Sequence, residues 1–253
     1  MTVSIAQAQI FFLALTRVLA LLIQVPVLAG RATPDPIKLG LGLLVTIVIV
    51  PWQPLPPDAP TLDLLQFTSS IFNELLIGTL AGFASALIFG ALQTAGTMMG
   101  LGSGFTAGQI LNPTMGDTGS AMDQMFVIVA TMLFLVMDGH HVFLIGIQRT
   151  FIALPINKPL PPLDLARFVG MSSELLTAGI QMSLSVMGTL LLADLALGLL
   201  ARIAPQVQVF FLGMPIKIGV GFLALGVSLT ALFPIISEMY RSILPRMLYL
   251  LGI

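Results

Sequence analysis

Two adjacent histidines with a carboxylate two positions earlier are the residues here whose types could do chemistry. They stand in the run Met137, Asp138, Gly139, His140, His141, and the chain has no other histidine. Imidazole titrates near neutral pH and is a common metal ligand, so a metal site or a proton relay would use these groups. The spacing argues against a metal. Neighbouring helical residues point about 100° apart, whereas two helical histidines that share an ion sit at i and i+4. A site here would need a further ligand from a distant segment, with no cysteine to help. Gly139 marks a helix break. The plainer expectation is a polar junction, where Asp138, His140 and His141 satisfy backbone groups left open at a helix end.

A second set of chemically capable residues is charged and sits in or beside apolar sequence: Arg17, Glu74, Asp138, Asp194 and Arg202. A charge at a bilayer centre costs about 2.5–3.5 kcal/mol on insertion scales. Such residues must face a partner, a cavity or another subunit. A proton path needs acids near one midplane. These acids are scattered and mostly at the ends of apolar runs, which favours structural ion pairs between helices or subunits. Asp194 and Arg202 are eight residues apart, about 12 Å of helical rise, so each needs a partner from elsewhere.

Composition says what positions these groups. The chain has 253 residues, 57% of them hydrophobic and 8% charged, against about 25% charged in a soluble domain. Mean hydropathy is +1.05. These values require membrane or a larger assembly around the chain. A net charge of −1 leaves no basic face for nucleic acid. The absence of cysteine excludes disulfides and thiolate chemistry. Nothing before Arg17 has the cationic start of a cleavable signal, so the first apolar run is expected to be retained.

A spanning helix needs about 20 apolar residues. Six runs approach this: Ile10–Leu28, Ile37–Val50, Leu75–Met99, Met122–Met137, Ile180–Ala201 and Ile218–Ile236, with a shorter seventh at Val142–Leu154. Proline-rich turns are expected at Pro51–Pro60 and Pro155–Pro162, and no linker or repeat divides the chain. With one crossing per run, Arg31, Lys38, Arg202 and Lys217 fall on one side. Arg149, Lys158, Arg167, Arg241 and Arg246 fall on the other. Four against five gives no positive-inside bias. Helical hairpins buried in protein, rather than a simple serpentine, are therefore expected.

Between two apolar runs lies a glycine-rich stretch, Gly100–Gly119, read as a loop of about 20 residues. It lacks the strand context and the Gly-Lys-Ser/Thr of a phosphate-binding loop. Its length favours a plug or lid over a plain connection. Met98, Met99, Met115, Met122, Met125, Met132 and Met137 cluster around it. Methionine adapts to irregular surfaces and suits a seal.

The stretch RIAPQVQVFFLGMPIKIGVG, residues 202–221, resembles the FliR family, export-gate subunits of bacterial flagellar and type III secretion systems. TRVLALLIQVPVLAGRATPDPIKLGLGLLVTIVIVP (16–51), NELLIGTLAGF (73–83), AGTMMGLGSGF (95–105), Asn112-Pro113 and DGHH follow the family's order over essentially the whole chain. The resemblance implies an all-α membrane protein, with about six or more apolar helices in hairpins, similar to a fusion of FliP-like and FliQ-like subunits. Residues 1–253 would form a single export-gate domain.

The resemblance further implies a non-enzymatic subunit without cofactor or metal. It would sit in the bacterial inner membrane at the flagellar basal body, much of it on the periplasmic side. The implied partners are FliP-like and FliQ-like subunits, FlhB-like and FlhA-like export components, membrane lipid and the unfolded proteins exported. The plug would comprise Gly100, Gly102, Gly104, Phe105, Gly108, Asn112, Pro113, Met115 and Gly116, sealed by Met98 and Met99. Polar contacts between helices or subunits would involve Arg17, Glu74, Asp138, His140, Asp194, Arg202, Pro205, Gln206 and Lys217. The Ala204–Gln206 turn would shape the cytoplasm-facing entrance or a partner surface. A virulence-system gate subunit and a small secondary transporter or proton channel are the competing readings.

Overall fold

The computed structural model describes residues 4–25, 33–49, 61–104, 121–206 and 208–253. Among them there are eight helices: α1 (Ile5–Ile23), α2 (Asp35–Ile49), α3 (Leu64–Ser103), α4 (Ala121–Val136), α5 (Gly139–Ala153), α6 (Leu165–Ile203), α7 (Val209–Arg241) and α8 (Ile243–Leu250). Helix is the only regular structure among the described residues, as the apolar runs require.

Among the described residues four helices are long and apolar enough to cross a membrane: α1, α3, α6 and Phe211–Arg241 of α7. The bent pair α4–α5 makes a fifth if counted as one span. Six apolar runs thus give four or five membrane-capable elements. The 15-residue α2 is too short to join them. The long helices exceed the apolar runs that announced them. α3 has 40 residues and α6 has 39, each close to 60 Å at 1.5 Å per residue. That is about twice the hydrocarbon thickness of a bilayer.

Local chemistry sets several boundaries. α1 opens with a capping box: Ser4 Oγ accepts from Gln7 N–H at 3.2 Å, and Gln7 Oε1 accepts from Ser4 N–H at 3.0 Å. The break between α4 and α5 falls at Asp138, which takes the left-handed conformation with φ 55°. A short polar residue tolerates that region better than most. The turn expected at Pro155–Pro162 is present between α5 and α6. The stretch Pro51–Pro60 lies outside the described residues.

The chain forms two compact units. The first comprises residues 1–89, 138–171 and 240–253, and the second residues 90–137 and 172–239. In the first unit α2 lies on α1, with Gly42 admitting the side chain of Leu19. Gly78 and Gly82 of α3 face α1: a Cβ on Gly78 would lie 2.6 Å from the Arg17 carbonyl, and one on Gly82 would lie 2.8 Å from Gln24 Cγ. Two glycines four apart let the backbones touch, the packing device of membrane helices. In the second unit Gly179 of α6 does the same against Ala91 of α3, where a Cβ would be 2.5 Å from the carbonyl oxygen.

Candidate functional site

The polar heart of the first unit is built on α3, whose Ser70, Asn73 and Glu74 lie at helical neighbour spacings. Glu74 is fully buried and receives Arg17 of α1, also fully buried, with Nε to Oε2 at 2.5 Å. Arg17 Nη1 donates to the carbonyls of Thr150 (3.1 Å) and Leu154 (2.6 Å). Those carbonyls lie at the end of α5, where backbone acceptors run short of intrahelical donors; the Thr150 carbonyl also accepts from Leu154 N–H at 2.9 Å. Arg17 thereby caps a helix 130 residues away with a positive charge, the sign a helix C-terminus favours. Its guanidinium carbon lies 4.4 Å from the ring centroid of Phe151. Only Nη2 has no hydrogen-bond partner.

The same track on α3 fastens the loop after α5. Glu74 Oε1 accepts from Asn157 N–H at 3.0 Å, and Ser70 Oγ donates to Asn157 Oδ1 at 2.6 Å. Asn73 uses both ends of its amide, donating to the Lys158 carbonyl (2.7 Å) and accepting from Leu160 N–H (3.1 Å). Asn157 sits at φ 64°, a conformation asparagine adopts readily. Gln9 holds the residues before α3 in the same way, exchanging two 2.9 Å bonds with the Leu62 backbone. Arg17 and Glu74 stood out in the sequence as charges in apolar surroundings. Ser70, Asn73 and Asn157 did not, and their only signal was polarity beside a proline-rich turn.

In the second unit α6 and α7 form a hairpin through the turn at Ala204–Gln206. Lys217 Nζ lies 2.5 Å from Asp194 Oδ1 across it. The pair is partly open to the outside, with Asp194 47% exposed and Lys217 22%. Arg202, Pro205 and Gln206 are exposed at the hairpin tip, and Arg202 makes no ion pair among the described residues. Arg17 with Glu74 and Asp194 with Lys217 are thus the two pairs that the fold makes from the charged candidates.

The stretch read as a loop from Gly100 is helical through Ser103. Gly100 and Gly102 are therefore helix residues. Gly100 is buried, and the smallness of Gly102 serves packing, since a Cβ there would lie 3.2 Å from Leu190 of α6. Ser103 Oγ donates to the Gly100 carbonyl at 2.8 Å. Gly104, at φ 77°, ends the helix, where a residue without Cβ is at ease. Met99 is fully buried and Met98 half-buried. Met99 thus fills the interior of its own unit. Phe105, Gly108, Asn112, Pro113, Met115 and Gly116 lie outside the described residues.

At the α4–α5 break the expected side-chain capping does not occur. Asp138 is exposed and makes no side-chain cap; its backbone carbonyl instead accepts from His141 N–H (2.9 Å) and Val142 N–H (3.1 Å). With Asp138 left-handed, the main chain reaches these donors without help. His140 and His141 are exposed, their ring centroids 6.4 Å apart in an edge-on arrangement. No group of three metal-ligating side chains occurs among the described residues.

Comparison with known proteins follows this geometry closely in extent. The family described as bacterial export proteins, family 1, matches residues 8–243. The flagellar biosynthetic protein FliR of Pectobacterium carotovorum subsp. carotovorum is 32% identical over 237 residues, covering 92% of this chain and 89% of that protein. FliR of Escherichia coli (strain K12) is 30% identical with the same coverage. FliR of Bacillus subtilis (strain 168) is 26% identical over 247 residues, covering 96% of this chain and 95% of the relative.

Proposed function

The chain belongs to the FliR family of bacterial export proteins, and from that premise we propose that it works as one subunit of a protein-conducting pore. It is a multi-pass membrane component of the flagellar export apparatus, and its role is structural rather than catalytic. In the proposed assembly it joins FliP-like and FliQ-like subunits in the inner membrane, with much of the complex on the periplasmic side. FlhB-like and FlhA-like components sit nearby, and unfolded flagellar proteins pass through. The relatives named above are flagellar, which favours this system over a virulence one.

The carrying observation is the hairpin of α6 and α7. Leu184, Leu191, Leu192, Leu195 and Leu199 of α6 and Phe211, Leu223 and Val227 of α7 are all exposed. With 39 and 33 residues, α6 is about 60 Å long and α7 about 50 Å, so both outrun the bilayer and lipid alone leaves apolar surface uncovered. Surface of that kind and extent calls for protein partners. In the same reading, residues 106–117 act in closing the pore before cargo enters.

The test is native mass spectrometry of the detergent-extracted chain, expressed with and without its FliP-like and FliQ-like neighbours. A single copy within a larger mixed complex supports the proposal. A stable monomer or homo-oligomer that ignores those neighbours overturns it and returns a small transporter to the front.

A further inference from the structure

The loop between α5 and α6, residues 155–163, reads PINKPLPPL. Four of its nine residues are prolines, which have no N–H to give. Three more N–H groups are already committed within the chain: Asn157 to Glu74 Oε1 at 3.0 Å, Lys158 to the Pro155 carbonyl at 3.2 Å, and Leu160 to Asn73 Oδ1 at 3.1 Å. The loop is thus held in one shape before anything meets it. It is also a poor strand edge, because only Ile156 and Leu163 keep an N–H beyond the prolines and these committed donors, so recognition must come mainly through side chains.

Those side chains form a ridge. Pro155, Lys158, Pro159, Pro162 and Leu163 are exposed, Leu163 by 56%. Lys158 makes no ion pair among the described residues. The two acids flanking the loop are occupied elsewhere. Glu74 is buried with Arg17, and Asp164 lies 3.4 Å from Arg167. A pinned proline ridge with one available ammonium group is unusual in a chain with so few charges.

We propose that residues 155–163 are a pre-organised docking ridge for a protein partner. That partner offers an aromatic-lined surface to the prolines and a carboxylate to Lys158. Prolines with fixed φ dock against aromatic side chains at low entropic cost, and a ridge already fixed by the Ser70–Asn73–Glu74 track pays little further ordering on binding. An anionic lipid surface is the weaker match. Lipid-binding segments carry clusters of basic residues, and a proline-broken loop has no continuous apolar helical face to insert.

The experiment uses the full chain in motile cells. A photoreactive benzoylphenylalanine replaces Pro162, which is exposed and makes no clasp contact, and adducts are identified by mass spectrometry. The expected result is an adduct with one protein, mapped to a segment holding a carboxylate beside aromatic residues. Lys158→Glu should lower its yield about tenfold, a change of about 1.4 kcal/mol in binding, while Lys158→Arg keeps it. Reversing the partner's carboxylate to lysine should restore the adduct with Lys158→Glu. Asn73→Ala, which loosens the ridge and leaves Lys158 in place, should also lower the yield. Adducts only with lipid, no adduct, or a yield unchanged by Lys158→Glu overturns the proposal. If Lys158→Glu does not accumulate in the membrane, Lys158→Gln is read in its place. Because the readout is a local adduct, it fails or succeeds independently of the pore assignment.

Discussion

Breaking the Arg17–Glu74 pair tests the clasp most directly. Both side chains are fully buried, so Arg17→Ala strands the Glu74 carboxylate, opens the Leu154 carbonyl and leaves the Thr150 carbonyl with the Leu154 N–H alone. Removing one partner of a buried pair costs about 3–5 kcal/mol, and an exposed pair would cost less than about 1 kcal/mol. Arg17→Lys separates charge from geometry. An ammonium keeps the charge but lacks the planar fork that reaches Glu74 with Nε and two carbonyls with Nη1. Each lost hydrogen bond to a charged group costs about 1.5–3 kcal/mol, so Arg17→Lys should fall between wild type and Arg17→Ala. The double change Arg17→Met with Glu74→Leu removes both charges and should recover part of the loss, the Leu154 carbonyl and the Asn157 N–H losing their partners all the same. The assay is the midpoint of thermal loss of the monodisperse chain, followed by size exclusion in one detergent, across the full double-mutant cycle. A coupling energy below about 0.5 kcal/mol would place the two sites in the additive range and refute the buried clasp.

Other perturbations are quicker to read by the same thermal assay unless stated. Gly78→Val places a branched side chain where even Cβ would meet the Arg17 carbonyl at 2.6 Å; it should destabilise by several kcal/mol, about the upper range for overpacking. Gly188→Ala, with nothing within 4 Å of the added Cβ, should stabilise by about 0.5–1 kcal/mol. Lys217→Ala breaks a pair that is partly exposed, so a change of less than about 1 kcal/mol that shrinks with salt is expected. Asp138→Gly relieves the left-handed position and should gain about 0.5–1 kcal/mol. Deleting residues 106–117 should make resting cells leak small ions, measured by conductance or dye influx; unchanged permeability would remove that segment from the closing role.

The glycines show how far sequence reading reaches. In Gly100–Gly104 the glycines signal a loop by local rules, since glycine weakens isolated helices. The fold uses Gly102 to bring α3 against Leu190 of α6, buries Gly100 within the helix and leaves Gly104 to end it. Gly78 and Gly82 stood in plain view four residues apart, yet nothing local states which helix they admit. The charge count failed for a related reason. It assumed one crossing per apolar run, whereas α2 is too short to span, the α4–α5 pair is bent and α3 and α6 outlast a bilayer.

What the sequence determined by itself was the solvent and the helical class. A chain 57% apolar and 8% charged cannot present a water-soluble surface, and in lipid the backbone must satisfy its own hydrogen bonds, which long apolar runs do as helices. It also marked Arg17, Glu74, Asp138, Asp194 and Arg202 as charges that needed answers. Only the tertiary structure decided who answers them. Arg17 meets Glu74 across 57 residues and the end of α5 across more than 130, and Asp194 meets Lys217 across a hairpin. Such partners are chosen by the stacking of whole helices, through close contacts like those at Gly78 and Gly179. A period along one helix shows which face is apolar, but not which other helix it will find.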